Sequence, residues 1–365
     1  MNVGESGIIN IAEVNNILKA LIKDGYTIIG FEIKKSRFDL TPIAVDDPLK
    51  LLDPIPLSQY FAYDFARADS SPKFLNSKLR GKKVALFARP CDTRALIELS
   101  KLKQVILDDL FIITLECPGR ASSKDVVNQI KKENLDPENA SGETLADKFT
   151  IQIDGKEKIL KVKRLDNCGR CVKRAPSISD LSIDLVGDKI RVIVNSEKGK
   201  KIMDGIKSET DNLKDARKKY FDGLVQEAEK QREKEINDYL KLSDNERFEK
   251  AMKTIEKCRL CGQCINACPV CYCQAHGRCE IQAKRKAKEL DDPVLYWLTK
   301  MTHMSDICIG CGRCTPVCPV NIPNAFFYDV MNKYVEEEFQ YVSGKSKDDL
   351  MPRSMKAIKA QKAKS

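Results

Sequence analysis

Two cysteine runs in the C-terminal third constrain this chain more than any other feature. One reads Cys258-Arg-Leu-Cys261-Gly-Gln-Cys264-Ile-Asn-Ala-Cys268-Pro269, the other Cys308-Ile-Gly-Cys311-Gly-Arg-Cys314-Thr-Pro-Val-Cys318-Pro319. Both follow C-x2-C-x2-C-x3-C-P, the spacing that bacterial-type ferredoxins use for [4Fe–4S] clusters. A cubane takes four thiolates, one per iron. The first three cysteines of a run lie on one short turn, and the fourth, followed by proline, reaches the other cluster. The spacing therefore predicts one cluster on Cys258, Cys261, Cys264 and Cys318, and a second on Cys308, Cys311, Cys314 and Cys268. Structural zinc favours paired C-x2-C units or Cys with His in a closed tetrahedral site. Disulfides need an oxidising compartment, and Met1-Asn-Val-Gly-Glu5 has none of the marks of a secretory signal. Two complete four-cysteine runs fit neither alternative. They predict electron transfer through two clusters without saying from what to what.

The chain has 365 residues, enough for two or three domains with their own cores. Its formal net charge is +10, and much of the positive charge falls after residue 196 and in the tail from Arg353 to Ser365. That distribution suits an acidic partner or nucleic acid. It is also the pattern of solvated helix faces and a frayed tail. No helix-turn-helix or other nucleic-acid-reading module accompanies it, so we read it as solvated surface. No apolar run approaches the roughly 20 residues of a membrane span. The chain reads as cytoplasmic, and fifteen cysteines in such a chain point to metal or redox chemistry.

Upstream of the runs, apolar residues at helical spacing from Ile11 to Ile22 predict a helix, with Asn10 and Glu13 as a capping box and Gly25 at its end. Tyr26–Glu32 reads as a buried strand. Residues 43–80 read as loops, with a helix around Leu57–Arg67. Lys82–Arg89 is a short apolar strand that runs into Pro90-Cys91-Asp92-Thr93-Arg94 and a helix through Leu99, with Asp92 as its N-cap. Leu110–Leu115 is another strand, and Glu116-Cys117-Pro118-Gly119 follows it. Cys91 and Cys117 thus stand at strand ends, where α/β sheets place ligand sites and where a helix N-terminus favours a thiolate. Position alone leaves open whether they are ligands or small buried hydrophobes. Phe149–Ile153 and Lys158–Val162 predict a hairpin around Asp154-Gly155. Then comes Cys168-Gly-Arg-Cys171, a weak motif alone, but with Cys91 and Cys117 it makes four thiolates, enough for a third cubane. Ile183–Gly187 and Ile190–Val194 predict a second hairpin. From Glu197 to Lys257 the sparse apolar positions predict long, exposed, linking helices. Cys271, Cys273 and Cys279 remain over: the alternatives are ligands of a further cluster or metal, a substitute for a ligand in this scheme, or packing, which is how we read them, as we do His276 and His303.

Pro90-Cys91-Asp92-Thr93, Glu116-Cys117-Pro118-Gly119 and Cys168-x2-Cys171, with Asp180–Asp184 and Gly187-Asp188 after it, stand in an order that resembles a known family. It is the family of beta subunits of coenzyme F420-reducing hydrogenases and formate dehydrogenases. Cys268-Pro-Val-Cys271-Tyr-Cys273 and His303-Met304 before Cys308 resemble the formate dehydrogenase type. The resemblance implies that Cys91, Cys117, Cys168 and Cys171 hold a third [4Fe–4S] cluster beside a flavin, FAD. Where family members carry a Ser-Gly-Gly loop near the flavin or F420 pocket, this chain has Ser6-Gly7-Ile8. Ser6, Gly7, Arg89 and Arg94 are the flavin candidates, with Arg80 and Lys82 as further basic residues for its phosphates. There is no GxGxxG, so a Rossmann nicotinamide site is not supported.

The expected fold is a mixed α/β (α+β) domain over 1–196, a charged helical linker over 197–250, a ferredoxin-like two-cluster domain over 251–330, and a helix and basic tail over 331–365. The expected function is electron transfer between a hydride carrier, F420H2 or NAD(P)H, through the flavin and three clusters to a larger partner. Formate dehydrogenase, hydrogenase and a heterodisulfide-reductase-like complex are the candidate partners. The alternative is a flavin-free subunit that relays electrons between larger redox subunits. The residues do not single out a catalytic side chain.

Overall fold

The structure is a computed structural model. It describes residues 1–33, 40–47, 75, 79, 81–145, 149–186, 189–271 and 292–354. The expected helix around Leu57–Arg67, the turn at Gly187-Asp188, Arg80, Cys273, Cys279 and His276 lie outside the described residues.

The N-terminal half is built on β1 (Ser6–Ile9), α1 (Ile11–Lys23), β2 (Thr27–Ile33), β3 (Leu40–Val45), β4 (Val84–Ala88), α2 (Pro90–Lys101) and β5 (Leu110–Leu115). It continues with α3 (Ser123–Lys132), β6 (Ala140–Leu145), β7 (Phe149–Ile153), β8 (Lys156–Leu160), the short α4 (Asp166–Gly169), β9 (Leu181–Val186) and β10 (Lys189–Val194). Then come α5 (Glu197–Ile202), β11 (Glu209–Thr210), α6 (Lys214–Leu240) and α7 (Asp244–Ile255). The C-terminal region adds α8 (Gln263–Ala267), α9 (Pro293–Met304) and α10 (Asn324–Phe339).

Eight strands form one mixed sheet in the order β11-β1-β10-β9-β5-β4-β2-β3, with β2, β4, β5 and β9 parallel at its centre. Every residue of β4 and β5 is buried, as parallel strands covered on both faces must be. Alternation divides their side chains. Ala85 and Phe87 join the core under α1, while Val84, Leu86 and Ala88 face Leu96 of α2. Helix α1 ends in a Schellman arrangement. Gly25 stands at φ +88° and donates to Ile22 O, and Tyr26 N donates to Leu21 O. At its start Asn10 accepts from Glu13 N at 3.0 Å, which is half of the capping box expected. A separate sheet, β6-β7-β8, packs on α3.

Three local expectations are corrected. Ser6-Gly7-Ile8 is a strand, not a loop, held between β10 and β11. Asp92 is the third residue of α2 rather than its cap: Arg89 is the cap residue, Pro90 opens the helix, and the Asp92 carboxylate accepts from Arg89 N at 3.0 Å. The segment after 196 is not merely exposed linking helix. The 27 residues of α6 span about 40 Å. At its start Arg217 forks onto the fully buried Asp184 of β9 at 2.6 and 2.9 Å. At its end Ile236 and Tyr239 enter a second core with Ile255, Trp297, Phe327 and Tyr328.

Removing the Arg217 guanidinium would leave Asp184 as a buried, uncompensated charge. Arg217→Ala is therefore expected to cost about 3–5 kcal/mol, read as a lowered melting temperature with cluster content unchanged. Helix α2 ties the two halves together in the same way. Glu98, fully buried, accepts from Tyr341 Oη at 2.7 Å, Gly344 N at 2.7 Å and Lys101 Nζ at 3.0 Å, so the segment after α10 is latched to the helix that carries Cys91. No described helix is long and apolar enough to cross a membrane.

Candidate metal centres

The cysteines gather around three cavities. The first is lined by Cys258, Cys261, Cys264 and Cys318, with Tyr296 and Trp297. Helix α7 delivers Cys258, whose N–H bonds back to Ile255 O. Gly262 at φ +75° turns the chain so that α8 can carry Cys264. Leu260 N donates to Cys258 Sγ at 3.4 Å and Ile322 N to Cys318 Sγ at 3.3 Å. Tyr296 Oη stands 3.8 Å from Cys264 Sγ.

The second cavity is lined by Cys308, Cys311, Cys314 and Cys268, with Cys264, Lys300 and Tyr328. Lys300 is buried and donates to Asn324 Oδ1 at 3.2 Å. Burial works against its ammonium, and negative charge on the Cys264 and Cys314 sulfurs beside it, once they are deprotonated, raises its pKa above the ordinary value.

The third is lined by Cys91, Cys117, Cys168 and Cys171, and Cys311 of the second cavity reaches it too. Cys91 is the second residue of α2, Cys117 follows β5, and Cys168 lies in α4. Each cysteine set expected from the sequence is thus brought together. The three cavities stand in series, with Cys264 common to the first pair and Cys311 common to the second. Cys271 lines none of them and packs against the second core.

The chemistry of these groups favours an inorganic anion bound between them. No disulfide joins any of the described cysteines. Burial pushes the Cys117 and Cys311 thiols up to about 12 and raises Cys91, Cys258, Cys308 and Cys314 as well. Protein alone therefore keeps them protonated, against the thiolate expected at Cys91 from the helix terminus. Metal binding is what deprotonates such thiols. Among the described residues no three His, Cys, Asp or Glu side chains converge as a single metal ion requires; the cysteines of each set stand around a cavity instead.

Around the third cavity the buried arginines matter. Arg174 donates to the carbonyls of Cys117 and Cys168 at 3.3 and 2.7 Å, and Arg94 to those of Lys173 and Ile309 at 2.7 and 3.3 Å. Neither reaches a carboxylate among the described residues, and the buried Nε of each has no protein acceptor. Two buried guanidinium charges without a counter-ion are costly; an anionic group bound beside them would supply one. Next to Cys117, burial, with Asp184 nearby, lifts Glu116 to about 7.

The flavin candidates divide. Arg89 and Arg94 line the third cavity. Ser6 and Gly7 do not: Ser6 Oγ donates to Asp211 Oδ2 at 2.6 Å, and a Cβ on Gly7 would meet Met1 Sδ at 2.9 Å and Glu209 O at 3.1 Å. The registers put Ser6 level with Ala88 but four strands away, about 19 Å at ordinary strand spacing. The four residues therefore do not meet at one point. Lys300, Tyr328, Arg120 and Arg174 were not anticipated. Only the basic cluster Arg170, Lys173 and Arg174 around the C-x2-C pair offered a signal in the sequence.

A family profile for the C terminus of the coenzyme F420 hydrogenase/dehydrogenase beta subunit matches residues 81–219, and a "4Fe-4S dicluster domain" profile matches residues 254–322. The beta subunit of F420-dependent formate dehydrogenase 1 from Methanococcus maripaludis is 30% identical over 302 residues, covering 73% of this chain and 74% of that protein. The chain belongs to the coenzyme F420 hydrogenase/dehydrogenase beta-subunit family. Another relative in that family, the beta subunit of F420-dependent formate dehydrogenase from Methanocaldococcus jannaschii, is 28% identical over 294 residues, or 74% of this chain and 76% of that protein. A chain of the F420-reducing [NiFe] hydrogenase complex from Methanosarcina barkeri aligns at 16% identity with a TM-score of 0.48, over 60% of this chain and 84% of that one. As a member of this family the chain is an iron–sulfur electron-transfer subunit of an oxidoreductase.

Proposed function

We propose that this family member carries electrons between a hydride carrier and a larger catalytic partner through three [4Fe–4S] clusters. The ligands are Cys258/Cys261/Cys264/Cys318, Cys308/Cys311/Cys314/Cys268 and Cys91/Cys117/Cys168/Cys171. The observation that carries this reading is the series of three cavities with a shared cysteine at each junction. Clusters bound there supply one-electron transfer, and a flavin beside the third supplies the exchange between a hydride and single electrons. The protein's own part is positioning. Backbone N–H groups of Leu260 and Ile322 donate to sulfur, Lys300 and Arg174 offset cluster charge, and buried apolar walls exclude water. The names of the two formate dehydrogenase relatives favour F420 as the carrier and a formate dehydrogenase as the partner over NAD(P), a hydrogenase or a heterodisulfide-reductase-like complex.

The test is anaerobic. Protein is assayed for FAD, then offered reduced F420 and NADH in turn. The reading expects about one flavin per chain and bleaching of the cluster absorbance by reduced F420 in preference to NADH. The hydrogen bond of Ser6 to Asp211 and the burial of Gly7 against β11 favour a second reading, a flavin-free relay. It expects clusters without flavin and no bleaching by either carrier.

A further inference from the structure

The three cavities differ in buried charge, and the difference is not small. In the first the lining cation, Arg259, is exposed. One buried cation, Lys300, lies at the junction of the first and second, beside Cys264 and Cys314. In the third Arg89, Arg94, Arg120 and Arg174 are all buried. Three carboxylates of the neighbourhood are engaged with other cations, and Glu116 beside Cys117 makes no ion pair with Arg94 or Arg174 among the described residues. Asp92 pairs with Arg313 at 2.8 Å, Asp329 with Arg170 at 2.9 Å, and Glu336 with Lys173 at 2.7 Å. Among the described residues Arg94 and Arg174 are left with carbonyl partners only. Arg174 is tied to the backbone of two of the cavity's own cysteines, so its charge cannot swing away.

We infer that Arg94 and Arg174 make the third cavity the electron sink of the chain: a cluster held by Cys91, Cys117, Cys168 and Cys171 is the first of the three to be reduced. This rests on the three-cluster reading above. Each reduction adds one negative charge to an already anionic group, and fixed cations in a dry site favour the more negative state. The step is a bare electron transfer. One electron leaves a low-potential reductant such as dithionite, one cluster gains it, and no bond forms or breaks. The sink lies against the central sheet, at the opposite end of the series from the first cavity, so an electron entering by way of Cys258 comes to rest beside α2. Arg94 and Arg174 are positioning residues in this scheme.

The experiment is an anaerobic redox titration of the full chain, followed by electron paramagnetic resonance. The signal that Cys91→Ser removes marks the third cluster. In the unmodified protein that signal is expected to be the first to appear as the potential is lowered. In Arg174→Gln it is expected to move to lower potential while the other two stay. Arg174→Lys, which keeps the charge, is expected to restore it. A third-cluster signal that appears last, or one that Arg174→Gln leaves in place, would overturn the inference. If Arg174→Gln loses the cluster, Arg94→Gln carries the same expectation, and the order in the unmodified protein still decides. If Cys91→Ser keeps all its iron, the three-cluster reading itself falls and takes the inference with it.

Discussion

Replacing Cys91 with serine is expected to remove about four irons per chain and to leave about eight. Cys91 enters the third cavity from the first turn of α2, and Cys117, Cys168 and Cys171 come from other segments. Among the described residues, Cys311 is the one further cysteine that lines this cavity, and its place is in the second cavity. Serine matches the volume of cysteine closely, so α2, which is buried along most of its length, should keep its fold and the two ferredoxin-type clusters their signals. Cys271→Ser serves as the control, since Cys271 packs against apolar side chains outside all three cavities; its iron content is expected to be unchanged. Full iron in the Cys91 variant would mean that the third cavity holds no cluster.

The second large effect is expected at Gly312. It lies between Cys311 and Arg313 at φ +73°, and a Cβ there would come within 2.4 Å of Asn167 Cβ. Asn167 precedes Cys168 and donates to Asp329 Oδ2 at 3.3 Å. Gly312 is therefore where the turn of the second cavity presses on the turn of the third. Gly312→Ala combines a left-handed alanine with an overpacked contact, and a cost of about 2–4 kcal/mol is expected. The relief available is to move the two turns apart, which lengthens the step between the second and third clusters. A lower melting temperature and slower reduction of one cluster by the other are the readouts. Wild-type values for both would show that the contact is dispensable.

What was legible in the sequence was local. The cysteine runs carry their own turn geometry, α1 declares itself by its apolar stripe and Gly25, and the strand ends at Ala88–Pro90 and Leu115–Cys117 show in the switch of composition. What was missed depended on distant partners. Strand β1 has four residues, and its pairing is with Ile190–Ile193, so Ser6-Gly7-Ile8 reads as loop when seen alone. Strand β6, Ala-Ser-Gly-Glu-Thr-Leu, lacks alternation and exists because β7 lies beside it. Helix α6 looks like a solvated linker by composition, because only five of its 27 residues are buried; Arg217 and Tyr239, which anchor its ends, are polar. Of the arginines that line the third cavity, Arg89 and Arg94 were candidates by sequence and Arg120 and Arg174 were missed for the same reason. Arg94 reads as a phosphate ligand by type, and only the fold brings it to the carbonyl of Ile309, 215 residues away in sequence.

The measurement that tests the central claim most directly is the iron and acid-labile sulfide content of protein purified without oxygen. The account predicts about twelve of each per chain, three cubanes' worth. About eight of each would reduce the chain to its ferredoxin-type pair and contradict the series of three. Zinc in place of iron would contradict the electron-transfer role altogether.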